Sequence, residues 1–223
     1  MSSSKNRSLP QWYDALLAAY GPQGWWPGES PTEIIIGAIL TQNTNWRNVE
    51  KAIAALREAR LIDWQALRDV PVSTLARLIR PAGYFNVKAQ RLKCFVEWLC
   101  TRHDGRLDSL EKIPLDQLRE DLLEVKGIGP ETADSILLYA LSRPSFVIDA
   151  YTRRIAVRHR LAPKNDADYE KLKAAFEASL PRETALYNEY HALIVAVGKR
   201  HCGPRAKCEG CPLAAFPHDA EAI

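Results

Sequence analysis

The chain has 223 residues, 47% of them hydrophobic, and carries 30 Lys and Arg against 27 Asp and Glu, a formal net charge of +3. That length and apolar content support a buried core in one large domain or two small ones, and exclude a disordered chain except at the ends. So weak a positive balance excludes a global basic field, so any nucleic-acid site has to be a local patch. No apolar run approaches the length of a membrane span. Residues 1–8 (MSSSKNRS) lack the apolar core of a signal peptide. The expected location is therefore cytoplasmic, nucleoid-associated in a bacterium, and the five cysteines are not expected to form disulfides.

In chain order, Leu9 to Tyr20 has apolar residues at helical spacing. The Gly- and Pro-rich loop Gly21 to Pro31 follows and carries Trp25-Trp26-Pro27. Two adjacent Trp in such a loop either plug a junction between domains or form a flat aromatic wall for a planar ligand. Thr32 to Leu40 is apolar almost all round, which predicts a central, buried helix. It runs into Thr41-Gln42-Asn43-Thr44, then Trp46 and Arg47, and such polar residues directly after a buried helix are poor core material. Val49 to Arg60 is amphipathic, and Trp64 to Arg80 gives one or two short helices, Pro71 starting the second. Arg80-Pro81-Ala82-Gly83-Tyr84-Phe85-Asn86 reads as a turn and Lys88 to Cys100 as a long helix, on which Cys94 and Cys100 pack into the core.

Asp116 to Val125 is expected to be a helix leading into a tight hairpin. Gly127 and Gly129 can both take φ > 0, and Pro130 suits the first turn of the next helix. A hairpin of this kind bares backbone N–H groups at a helix start, where they can bind a phosphate. An apolar helix follows (Ile136, Leu137, Leu138, Ala140, Leu141), and a Pro-interrupted loop delivers Asp149 just before another helix. Locally Asp149 is an N-cap for the helix beginning at Ala150; capping does not exclude catalysis. Further helices are predicted near 150–160, 168–179 and 184–198. No β pattern and no internal repeat is present, so the chain is expected to be all-α with about ten helices.

Near the C-terminus stands Cys202-x5-Cys208-x2-Cys211, flanked by Lys199, Arg200, Arg205 and Lys207. Clustered cysteines of this spacing point to a metal site. Cys208 and Cys211 can share one centre from a single turn, Gly203-Pro204 favours the bend that brings in Cys202, and His218 is the nearest candidate for a fourth ligand.

The order of these features resembles the helix-hairpin-helix DNA glycosylase superfamily, of which endonuclease III is the familiar member. Trp25-Trp26-Pro27, Leu40-Thr41-Gln42-Asn43-Thr44, Arg80-Pro81 with Gly83-Tyr84-Phe85-Asn86, and Gly127-Ile128-Gly129 with Glu131 are similar to the 3-methyladenine DNA glycosylase III family, over most of residues 25–154. The resemblance implies a two-lobed fold. A helical barrel-like bundle over 31–145 would carry the hairpin, and a discontinuous second lobe would combine 1–30 with 146–223. The loops at 21–30 and 143–149 would then lie where the lobes join.

The resemblance also implies roles. Asp149 matches the catalytic aspartate. Gln42 matches the glutamine that fills the gap left by an extruded nucleotide, and Asn43 beside it would contact DNA. Lys126, Gly127 and Gly129 would contact the DNA backbone, and Trp25, Trp26, Pro27, Trp46 and Glu131 would line the base pocket. Bifunctional members carry a lysine two residues after the second hairpin glycine; here that residue is Glu131, which cannot form a Schiff base. The implied activity is a monofunctional glycosylase, without β-lyase activity, acting as a monomer on double-stranded DNA with a flipped, alkylated purine such as 3-methyladenine. Such a base is cationic, and aromatic faces attract it. A mismatch thymine or uracil glycosylase and a non-catalytic DNA-binding relative are the alternatives. The cysteine loop resembles the [4Fe–4S] loop C-x6-C-x2-C-x5-C, with one residue fewer in the first gap and Pro217 in place of the fourth cysteine. An iron–sulfur cluster on Cys202, Cys208, Cys211 and His218 is expected, with zinc as the runner-up.

Overall fold

The computed structural model describes residues 8–25 and 28–222. Among these the chain is all-α, as expected: apart from one isolated bridge, Cys202 to Ala206, no β-structure forms. The helices are α1 (Ser8–Tyr20), α2 (Pro31–Leu40), α3 (Trp46–Glu58), α4 (Trp64–Asp69), α5 (Val72–Leu78), α6 (Phe85–His103), α7 (Leu115–Glu124), α8 (Pro130–Ser135), α9 (Ala150–Arg158), α10 (Tyr169–Ser179) and α11 (Thr184–Arg200). Short 3₁₀ turns occupy Arg80–Ala82 and Asp108–Lys112. The apolar helix predicted after Pro130 begins as α8 and continues over Ile136–Ala140 as a π-helical turn, closed by the Leu141 N–H donating to the Ile136 carbonyl at 3.1 Å. None of the described helices is long and apolar enough to cross a membrane.

The chain forms two compact units, one from the residues up to Trp25 together with those from Pro144 onward, the other from the intervening stretch to Arg143. In the second, α2 is the centre. Ile34, Ile35, Ile36, Ile39 and Leu40 are all buried, and the helix packs against α3, α6, α8 and the π-helical turn. Its start is specified locally. The Ser30 side chain accepts from the Glu33 N–H at 3.2 Å, Pro31 occupies the first turn, and Glu33 accepts in return from the Glu29 N–H at 3.0 Å. The buried Glu33 carboxylate is matched by the Arg57 guanidinium at 2.6 Å.

The other end of α2 is closed by an unexpected residue. Lys88, on α6 and only 1% exposed, donates to the Leu40 carbonyl at 2.8 Å and to the Ala82 carbonyl at 2.7 Å. A positive charge at a helix C-terminus satisfies carbonyls left over by the helix and matches its dipole. Burial, and then the nearby Arg91, push its pKa below the usual lysine value. The result ties the last turn of α2 to the 80–84 turn.

In the other unit α11 packs on α9 and α1, and α10 packs on α9 and α1. Trp12, Phe146, Phe176, Tyr187 and Tyr190 fill its core, and the Tyr190 hydroxyl donates to the Leu9 carbonyl at 2.7 Å. Gly198 lets α9 and α11 approach closely, since a Cβ there would lie 2.5 Å from Cδ1 of Tyr151 and 2.8 Å from its Cβ. That approach brings the N-terminus of α9 beside α11.

Candidate functional site

In the unit built from both chain ends, Asp149 is the N-cap of α9. Its Oδ1 accepts from the Thr152 backbone N–H at 2.7 Å and from the Thr152 hydroxyl at 2.8 Å. Its Oδ2 lies 3.6 Å from Nε2 of His191 on α11, and the two side chains are only 13% and 5% exposed. Burial pushes the carboxyl pKa up, but the neighbouring His191 imidazole, with the two donors of Thr152, outweighs it and holds the group below the usual aspartate value. An ionised, largely dry carboxylate can stabilise a cation forming next to it.

Trp25 belongs to the same unit. Its indole stacks on His191 at 5.8 Å between ring centroids and 29° between planes. Glu189, two residues earlier on α11, accepts the Gln23 N–H at 2.6 Å and the Gly24 N–H at 3.3 Å, pinning the loop that carries Trp25. Trp26 and Pro27 lie outside the described residues.

The intervening unit holds Gln42, Asn43, Trp46, Lys126, Gly127, Gly129 and Glu131. The hairpin between α7 and α8 has Gly127 at φ +95°, and a Cβ there would meet Cγ of Arg91 at 2.3 Å. Both facts demand glycine. Gly129 departs from the expectation. Its φ of −99° and ψ of 178° are extended backbone open to any residue, and a Cβ there would find empty space. One left-handed residue suffices to turn this chain; at 129 the backbone has already re-entered the extended form that precedes a helix.

Gln42 and the hairpin are joined. Its amide donates to the Gly127 carbonyl at 3.1 Å and to the Thr132 hydroxyl at 2.9 Å, and its Oε1 accepts from Arg91. Arg91 and Lys88, three residues apart on α6, therefore hold Gln42 and the end of α2 respectively. Asn43 and Lys126 are exposed, Asn43 at φ +55°, a conformation asparagine tolerates. Glu131 is exposed in the first turn of α8. Trp46 is half-buried, its ring edge 3.0 Å from where a Cβ on Gly37 would sit, so the absence of a side chain at 37 admits it.

Sequence reasoning missed several of these groups. Lys88, Arg91, Thr152 and His191 read locally as ordinary helix residues. Tyr84 had a stronger signal, an aromatic inside a Gly-containing turn. It is 73% exposed and held at φ +44°, a strained conformation for an aromatic residue. Such a side chain is presented to solvent by the fold rather than left over from the core.

Cys202, Cys208, Cys211 and His218 line one cavity, together with His159 and His201. Buried Arg158 organises its wall, donating to Cys202 Sγ at 3.0 Å, to the Gly203 carbonyl at 2.8 Å and to the Pro204 carbonyl at 3.0 Å. Burial pushes the Cys211 thiol pKa up, and the proximity of Cys202 and Cys208 raises it further. Nδ1 of His201 lies 3.0 Å from the Lys207 carbonyl and Nδ1 of His218 lies 2.9 Å from that of Phe216. Such bonds place the proton on Nδ1 and leave Nε2 as the available donor to a metal. Among the described residues, no three His, Cys, Asp or Glu side chains converge closely enough to hold a metal ion. The donor set is that of a soft metal centre, and its groups are disposed around a cavity rather than about a point.

A protein-family model described as HhH-GPD superfamily base excision DNA repair protein matches residues 36–182. A protein of Methanocaldococcus jannaschii, provisionally named a DNA repair glycosylase, is 44% identical over 219 residues, covering 97% of this chain and 98% of that one. The crystal structure of the Helicobacter pylori 3-methyladenine DNA glycosylase MagIII bound to 1,N6-ethenoadenine superposes with a TM-score of 0.74 at 28% identity, over 88% of this chain and 97% of that one. An endonuclease III–DNA complex shares the fold, with a TM-score of 0.81 at 20% identity over 95% of this chain and 94% of that one.

Proposed function

Since the chain belongs to the HhH-GPD superfamily of base excision DNA repair proteins, we propose that it is a monofunctional DNA glycosylase that flips and releases alkylated purines such as 3-methyladenine from double-stranded DNA, acting as a monomer. The observation that carries the reading is Asp149, a buried carboxylate kept ionised by Thr152 and His191, with the Trp25 ring stacked on that histidine. As a base departs, C1′ of its sugar gains oxocarbenium character, and a fixed carboxylate stabilises that charge and orients the attacking water. A 3-methylated adenine is already cationic and leaves readily, so aromatic stacking rather than a strong general acid suffices to select it. The likeness to a glycosylase named for 3-methyladenine supports this choice of substrate. Extruding a base from a duplex also needs a grip and a filler. The hairpin at Gly127, with Gln42 bonded to it, and the exposed Tyr84 ring are the groups suited to those tasks. Free-base release from alkylated duplex, measured beside U·G and T·G duplexes, tests the reading; release from the mismatches alone would replace it with a pyrimidine-specific one.

Imine chemistry needs a neutral amine beside the sugar, and residue 131 is a carboxylate. Borohydride is expected to trap no protein–DNA adduct, and abasic duplex is expected to stay unnicked. An adduct on the wild-type chain would make the enzyme bifunctional.

We propose an iron–sulfur cluster rather than a single ion at the cysteine loop, because three cysteines and a histidine line one cavity there. Cys202, Cys208, Cys211 and His218 would hold it, and it would serve to fix the loop whose Arg205 and Lys207 can meet phosphates. Protein purified without air is expected to be brown, with iron and acid-labile sulfide. Zinc without sulfide would change the metal, and neither would remove the centre.

A further inference from the structure

We propose that His191 is a positioning residue for Asp149, holding Oδ2 as Thr152 holds Oδ1, and that Trp25 keeps the imidazole in place by stacking on it. The proposal rests on Asp149 being the catalytic carboxylate.

The geometry is asymmetric. Both Thr152 donors fall on Oδ1, at 2.7 and 2.8 Å. A carboxylate held at one oxygen can still turn about its Cβ–Cγ bond, which is a broad torsion. The Nε2 atom of His191, 3.6 Å from Oδ2, supplies the second point that sets the plane. That separation is slightly longer than a hydrogen bond, and such contacts tighten when substrate binds. The proton must sit on Nε2 for the imidazole to donate.

His191 is itself held. It is 4% exposed, lies on α11 two residues after the Glu189 carboxylate that anchors the 21–25 loop, and carries the Trp25 ring on its face. One stretch of α11 thus sets both the aromatic ring and the carboxylate. Four charged groups on the packed elements are engaged elsewhere. Arg154 and Arg158 of α9 bind the 202–204 loop, Glu189 binds the backbone at 23–24, and Lys173 of α10 pairs with Glu177. Of the groups acting on the Asp149 carboxylate, His191 is the titratable one, and it favours the ionised form.

The test is the pH dependence of base release, with kcat and KM taken from steady-state initial rates, by wild type, His191→Phe, His191→Gln and Asp149→Asn. Phenylalanine keeps a ring against Trp25 and deletes the N–H. It is expected to lower kcat about 10- to 100-fold, the effect of losing one hydrogen bond to a charged group, with KM little changed. The acid limb of the profile should move to higher pH, because Asp149 loses the group that favours its ionised form. Glutamine, which can donate from its amide, should recover part of kcat. If the Phe variant does not fold, His191→Leu is read in the same way. An unmoved acid limb with unchanged kcat, or a loss confined to KM, overturns the proposal. If Asp149→Asn is inactive while the limb stays put, only the role of His191 falls. If Asp149→Asn turns over normally, the role of His191 falls together with the premise.

Discussion

Asp149→Asn is expected to reduce base release by about a hundredfold or more while leaving the fold and DNA affinity in place. The amide oxygen can still accept from Thr152, so the cap of α9 survives. What disappears is a negative charge that the protein keeps ionised despite burying it. A charge that served only the cap would be replaced at a cost of a few tenths of a kcal/mol, far below the roughly 2.7 kcal/mol that a hundredfold in rate represents. Single-turnover release together with a thermal melt separates the two. Near-normal release by the Asn variant would remove Asp149 from the chemistry.

The largest effect on stability is expected at the pair that spans the hairpin. Arg119 on α7 donates to both carboxylate oxygens of Asp134 on α8, at 2.8 and 3.0 Å. Asp134 is fully buried, and the arginine side chain 18% exposed. Arg119→Met takes the bidentate guanidinium away from a fully buried carboxylate, a loss of about 3 kcal/mol or more, against a total stability of roughly 5–15 kcal/mol for a domain. Urea denaturation should show a lower midpoint. The double variant Arg119→Met, Asp134→Leu should regain most of the loss, because replacing a buried pair as a whole is nearly neutral. A single variant as stable as wild type would mean that the Arg119–Asp134 pair does not hold the hairpin helices together.

Much of the fold was legible because it follows from period and punctuation. The apolar circumference of α2, the Pro at its start and the Gly-x-Gly-Pro turn at 127–130 are local signals, as is the aspartate that caps α9. One boundary moved for a local backbone reason: α6 starts at Phe85, earlier than Lys88, because its first turn is built on the left-handed Tyr84. The long-range contacts that assemble the candidate site were not legible. Lys88 on the C-terminus of α2, Gln42 on the hairpin 85 residues away, and Arg158 on the cysteine loop are polar residues held by partners remote in sequence. In a helical pattern such residues look like a solvated face. The glycine at 129 shows the converse error, a motif letter with no conformational demand behind it in this backbone.

The unit that carries Asp149 joins α1 to α11, and the bond between Tyr190 and Leu9 spans 181 residues. During synthesis at roughly 5–20 residues per second, Leu9 therefore emerges about 10 to 40 seconds before its partner exists. Over that interval Leu9, Trp12 and Leu16 have no core to enter, whereas the stretch from α2 to Arg143 can already collapse on itself. The surroundings of Asp149 are thus completed last, and a chain released before α11 would hold a finished hairpin at 127–130 while Asp149 and Trp25 lacked the His191 ring they pack against. Ribosome stalling or nonsense truncation upstream of α11 would leave the stretch that ends at Arg143 complete and the unit around Asp149 unfinished.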